Sequence, residues 1–136
     1  VVVSKHEAPM VRWYWDQVGG TLIEDFVAVK REGDRGQRLV DAVILHDGKH
    51  RIVRSKDFDR SLIEGQDVTI VQAKAKRLGM SQMGQALFSI GLIEPFGPSS
   101  VLSVALCSED DALLRPMLEA HEGLKVVVCP AEFVPK

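Results

Sequence analysis

Only two cysteines, Cys107 and Cys129, occur in the 136 residues, and neither has a second Cys or a His at metal-ligand spacing. Both stand in apolar, strand-like runs, so buried thiols are expected rather than a disulfide framework or a zinc site. No run approaches the roughly 20 apolar residues that span a bilayer. The opening Val1-Val2-Val3-Ser4-Lys5 has no long apolar leader region, and the expectation is a cytoplasmic chain. An excess of one charge is also lacking: 17 Lys and Arg against 19 Asp and Glu leave a net charge of −2, so bulk positive charge does not coat nucleic acid here. The charge is nevertheless unevenly placed. Residues 1–78 hold 14 basic against 12 acidic side chains and residues 79–136 hold 3 against 7, so a polyanion would meet the first part. The remainder, 46% apolar and 26% charged, is the composition of a globular chain sized for one domain, without internal repeats or low-complexity tracts.

Periodicity then orders the chain. Residues 1–10 form an arm, and Val11, Trp15 and Val18 recur at helical spacing with Tyr14 beside them until Gly19-Gly20. At least one of Trp13 and Trp15 is expected in the core, the other facing a partner or substrate. From Thr21 the pattern is strand-like, with Leu22, Phe26 and Ala28 on one parity and Ile23, Val27 and Val29 on the other. The turn-rich Glu32-Gly33-Asp34-Arg35-Gly36 predicts a hairpin returning along 38–45, and His50 to Arg54 predict a short edge strand. The run from Asp67 to Val71 is apolar on both parities, the mark of a central strand. A helix follows over 80–93, with Met80 and Met83 as packing residues, then a strand over 100–107. A helix over 108–122, opened by Ser108-Glu109-Asp110-Asp111 as its cap, and a strand over 124–129 complete the order.

Against this frame a few polar residues need an explanation. Asp41 stands amid Leu39-Val40-Asp41-Ala42-Val43-Ile44-Leu45, where a carboxylate is costly unless a cation, a metal or several donors compensate it. Gln72 and Lys74 are two apart and share one face of their strand, with Val71, Ala73 and Ala75 on the other. If the two strands are neighbours, Asp41, Gln72 and Lys74 converge at one end of the sheet. His46, Asp47 and His50 flank Gly48 at a spacing that fits no standard ligand set and read as a solvated turn.

An Asp on one strand, then Gln-x-Lys on a second strand that runs directly into a helix, resembles the PD-(D/E)XK nuclease superfamily in the variant with Gln for the last acid. The resemblance covers 11–107 in the core order α-β-β-β-α-β. It implies an α/β domain with a mixed central sheet flanked by helices, restriction-endonuclease-like, with 108–136 as a C-terminal α-β extension. It further implies Mg2+- or Mn2+-dependent hydrolysis of DNA phosphodiester bonds in repair, recombination or restriction. Asp41, Glu24 and Gln72 would be the metal ligands, Glu24 having Asp25 as its rival, and the Ala73 carbonyl would assist. Lys74 would orient the attacking water and stabilise charge on the phosphate. Gln82 and Gln85, three apart on the helix, would support the site, and Lys76 and Arg77 would contact phosphates. A nuclease of this size would draw specificity from DNA structure, from a homodimer or from a partner protein. Two other readings stand beside it: a catalytically silent nucleic-acid-binding or assembly subunit of the same fold, and a small-molecule-binding regulatory domain in which Asp41 and Lys74 simply pair.

Overall fold

The computed structural model describes residues 5–136; the first four residues of the expected arm lie outside these. The first helix, α1 (Ala8–Val18), begins two residues earlier than Met10, directly behind a 3-10 turn at Lys5–Glu7, because Pro9 suits a first helical turn. Gly19 and Gly20 end it with positive φ, and a side chain at Gly20 would collide with the carbonyl of Leu45, so the tight joint into the sheet requires glycine there. The Trp15 indole donates to the Gly20 carbonyl at 2.7 Å and fixes the same joint.

The strands are β1 (Thr21–Val29), β2 (Arg38–Leu45), β3 (Arg51–Arg54), β4 (Asp67–Arg77), β5 (Ser100–Glu109) and β6 (Leu124–Val128). They form one mixed sheet in the order β3-β1-β2-β4-β5-β6. Only β2 runs antiparallel to its neighbours β1 and β4; β1 with β3, β4 with β5 and β5 with β6 are parallel. Two longer helices, α1 and α2 (Met80–Ile93), and the short α3 (Leu114–Glu119) flank it.

Each face carries its own apolar layer. Met10, Val11, Tyr14 and Trp15 of α1 pack on Leu22, Ala42, Ile44, Val71 and Ala73. On the opposite face Val43, Val68, Ile70 and Ile93 form one cluster, and Leu78, Ala86, Ala105 and Leu118 continue it toward α3. β4 is therefore covered on both sides, as its apolar run predicts. Cys107 and Cys129 are buried free thiols.

Three local expectations are corrected. Leu22 belongs to the α1 layer whereas Phe26 and Ala28 belong to the other, so they do not share a face. The change of parity falls at Asp25, the one non-glycine among the described residues with positive φ (53°), a conformation that Asp tolerates better than most residues. The last helix does not start at Ser108, because Ser108 and Glu109 extend β5, Glu109 pairing with Arg77 of β4. The turn that leads into α3 is closed by Asp111, whose carboxylate accepts from the backbone N–H of Leu113 and Leu114 at 3.0 and 2.9 Å. Met80 does not pack: it is 77% exposed at the start of α2, while Met83 lies against the α3-side cluster. No helix among the described residues is long and apolar enough to cross a membrane.

Candidate functional site

The sheet opens where β2 leaves β4. Their ladder runs from Leu45↔Val68 to Ala42↔Val71 and stops, while β2 stays paired with β1 down to Arg38. Beyond that point the edge N–H groups of β4 have lost their strand partner, and carboxylates replace it. The Ala73 N–H donates to Asp41 Oδ2 at 2.7 Å, and the Ala75 N–H donates to Glu7 Oε2 at 3.1 Å. Two acids are thus held beside Lys74, the residue between those two N–H groups.

Asp41 is half-buried, and its pKa is pushed up to about 6. Desolvation is the main cause; the Ala73 N–H and the Lys74 charge pull it down, and Glu7 and Asp25 push it further up. Asp25 is reached through the register: between the pairs Glu24↔Ala42 and Phe26↔Val40 stand Asp25 and Asp41, opposite one another. Lys74 lies close enough to act on Asp41 electrostatically, yet among the described residues the two make no ion pair within 4.0 Å.

The period of two places Gln72 and Lys74 on the α2 side of β4. Both line a pocket of about 440 Å3 with Asp41, Arg38, Gln85 and Phe88. Gln72 is buried; its amide donates to Ser89 Oγ at 2.7 Å, and Ser89 in turn donates to the Gln85 carbonyl at 2.6 Å. With its nitrogen committed, Gln72 offers its oxygen as the free acceptor.

Gln82 and Gln85 take different places. Gln85 is exposed on the pocket wall, whereas Gln82 is buried and its amide bridges the Gln72 and Leu106 carbonyls at 2.9 and 2.8 Å. Its Oε1 is buried with no hydrogen-bond partner. Gln82→Ala would remove two hydrogen bonds to strand carbonyls, and we expect it to cost roughly 1–2 kcal/mol in urea unfolding, the lower figure because the orphaned Oε1 goes with it. Unchanged stability would show that neither bond matters.

Other candidates lie apart from the pocket. Glu24 is gripped bidentately by Arg12, at 2.9 and 3.0 Å, while the acids that act on Asp41 are Asp25 and Glu7. Glu7 is a site residue the sequence did not reveal: it falls within the expected arm, and its partner Ala75 is 68 residues away. The only local signal was an acid directly before a Pro-containing helix start. Arg77 is paired with Glu109 at 3.2 Å, and Lys76 is exposed at the far end of β4. The turn histidines are used separately: His50 stacks on Trp15 with ring centroids 3.9 Å apart, and His46 Nε2 meets Thr69 Oγ1 at 2.6 Å. Trp15 is the core tryptophan, and the half-buried Trp13 packs on Phe133.

Among the described residues no three Asp, Glu, His or Cys side chains gather at metal-ligating geometry. The donors near Asp41 are all oxygen: its own free carboxylate oxygen, the neighbouring Asp25 and the Gln72 amide. Such a set fits Mg2+, which keeps several waters and needs only one or two carboxylates from the protein. Comparison with protein-family models, with curated proteins and with solved structures finds no match.

Proposed function

We propose that the chain is a Mg2+- or Mn2+-dependent hydrolase of DNA phosphodiester bonds, of the PD-(D/E)XK kind in its Gln-x-Lys form. One observation carries the reading. A desolvated carboxylate, Asp41, feels the charge of two further acids and lines a pocket together with an ammonium, Lys74, that does not neutralise it by direct pairing. A structural ion pair would close that gap, whereas a cation site requires it to stay open. The sheet order, with β2 alone reversed between β1 and β4 and α2 following β4 directly, agrees with a restriction-endonuclease-like core.

In this reading Asp41, with Gln72 and either Asp25 or Glu24 as the second acid, would hold the metal. Glu24 is held by Arg12, and Asp25 acts on Asp41 electrostatically. The bound ion would supply Lewis-acid stabilisation of the phosphate and a more acidic water. Lys74 orients the attacking water and balances the charge that grows on the phosphoryl oxygens. Gln85 and Ser89 hold Gln72 in place, the serine through a direct hydrogen bond. A homodimer would give two such sites for two strands.

A second reading, a catalytically silent nucleic-acid-binding subunit, is favoured by the missing third ligating acid and by Gln at position 72. Thermal denaturation with and without Mn2+, run beside a cleavage assay on labelled linear, nicked, single-stranded and branched DNA, separates the two. Millimolar metal is expected to raise the midpoint of the wild type by a few degrees, Asp41→Ala to lose that shift, and only the wild type to cut. Absence of both shift and cleavage rejects the hydrolase.

A further inference from the structure

The candidate pocket does not end at Asp41. Leu92 is shared with a second depression of about 360 Å3, and Lys30 and Arg60 are shared between that one and a third of about 380 Å3, so the three adjoin in sequence across the α2 side of the β1–β2 hairpin. Each holds cations: Arg38 and Lys74 in the first, Lys30, Arg35 and Arg60 in the second, Lys30, Lys56 and Arg60 in the third. The second depression has one carboxylate in its lining, Glu32, which Arg35 meets at 3.6 Å, and the third has none. Among the described residues Lys30, Arg38, Lys56 and Arg60 take part in no ion pair, in contrast to Arg12, Arg77 and Arg115 elsewhere on the surface.

Arg60 is the most telling of them. Its guanidinium donates to the backbone carbonyls of Val27 and Ala28 at 2.9 and 3.3 Å and lies over the Phe96 ring, 5.2 Å from the centroid. It is held in place by neutral groups and keeps its charge for something else. Each depression also carries one phenylalanine: Phe88 in the first, Phe96 in the second, Phe58 in the third. Phe58 and Phe96 rest edge-on against Phe26, while Phe88 is 77% exposed on α2 beside the candidate site. This ring lines the pocket with Leu39 and Leu92 as well as Asp41, Gln72 and Lys74, and most of its surface is open to a ligand.

We infer that these depressions form a track for single-stranded nucleic acid, with phosphates running over Arg38, Lys30, Arg60 and Lys56 and a base stacked on Phe88. Cations that follow a groove beside an exposed aromatic ring bind a single strand, because unpaired bases present their faces to the ring and a duplex hides them. The inference deepens the hydrolase reading by naming the form of its substrate, and rests on that reading only for the meaning of the Asp41 end.

The test is fluorescence anisotropy of a labelled oligothymidylate of about 15 nucleotides, in EDTA, against a duplex of equal length. The single strand is expected to bind more tightly than the duplex. The double reversal Lys30→Glu, Lys56→Glu, at two exposed positions, is expected to weaken single-strand binding by tenfold or more. It should also flatten the slope of log affinity on log salt by about 1.4, the share of two phosphates at ~0.7 each. Phe88→Ala is expected to cost about tenfold, and Lys125→Glu, an exposed reversal on β6, to change nothing. Equal or tighter binding of the duplex overturns the track, as does wild-type affinity in both the double reversal and Phe88→Ala. Binding in EDTA is independent of hydrolysis. A chain that binds this way but never cuts leaves the track standing and rejects the hydrolase; one that cuts but ignores the reversals rejects the track alone.

Discussion

Lys74→Ala is expected to lower the rate of metal-dependent DNA cleavage by on the order of a thousandfold while leaving the metal-induced rise in melting temperature in place. The two readouts part because Lys74 is an ammonium and cannot ligate a cation; its work lies with the water and the developing phosphate charge. The fold should hardly notice the change. Lys74 is half-buried at the strand end and has no ion pair among the described residues, so its loss should stay within about 0.5 kcal/mol. Its charge does lower the pKa of Asp41, and residual activity in Lys74→Ala should therefore have its acidic limb moved to higher pH. Lys74→Arg should recover little, since a planar fork cannot place one compact charge where the ammonium stood. Cleavage at the wild-type rate by Lys74→Ala would remove the activity from this site altogether.

Much of the framework behind that expectation is legible in the sequence, and what is not has a common cause. β2 and α2 have the bounds that their apolar spacing predicts, because their ends are marked by Gly-rich or Pro-containing stops. The placement of Gln72 and Lys74 on one face follows from the same regularity, since β4 keeps its period through Lys74. Parity fails as soon as the backbone departs from it. A single positive φ at Asp25 moves Phe26 and Ala28 to the face opposite Leu22 and sets Asp25 against Asp41, and no residue pattern announces it. Glu7 escapes for a different reason. Its hydrogen bond to Ala75 exists only because β2 peels away from β4 and leaves an N–H to be satisfied, a property of strand pairing and not of the neighbourhood of residue 7. The false start at Ser108 is similar: a good capping sequence is overruled when pairing with β4 extends β5, and the Leu78 N–H is satisfied by the Glu109 carbonyl.

Asp41→Asn should make the metal-free protein more stable at neutral and alkaline pH, the opposite of what a structural aspartate would do. The folded carboxyl has its pKa pushed up from the ordinary 3.8 to about 6. Below both values it is protonated in the folded and unfolded chains alike and has no effect. Between them the unfolded chain gives up the proton and the folded chain keeps it, so stability falls as pH rises through this window. Above about 6 the full cost is present, and at about 1.4 kcal/mol per pH unit it amounts to ~3 kcal/mol. Asparagine removes the charge and can still accept from the Ala73 N–H through its amide oxygen. In EDTA at about pH 8 the Asn variant should therefore melt roughly 5–10 °C above the wild type, and at about pH 3 the two should nearly coincide. Mn2+ should close the gap at alkaline pH by stabilising only the wild type, whose ionised carboxylate would bind it. If Asp41 were instead held by a net favourable pairing with Lys74, the Asn variant would melt below the wild type at about pH 8, since the lysine charge would be left unmatched. The sign of one melting-temperature difference thus decides whether the fold tolerates this carboxylate at a cost or depends on it, and only the first is what a cation site requires.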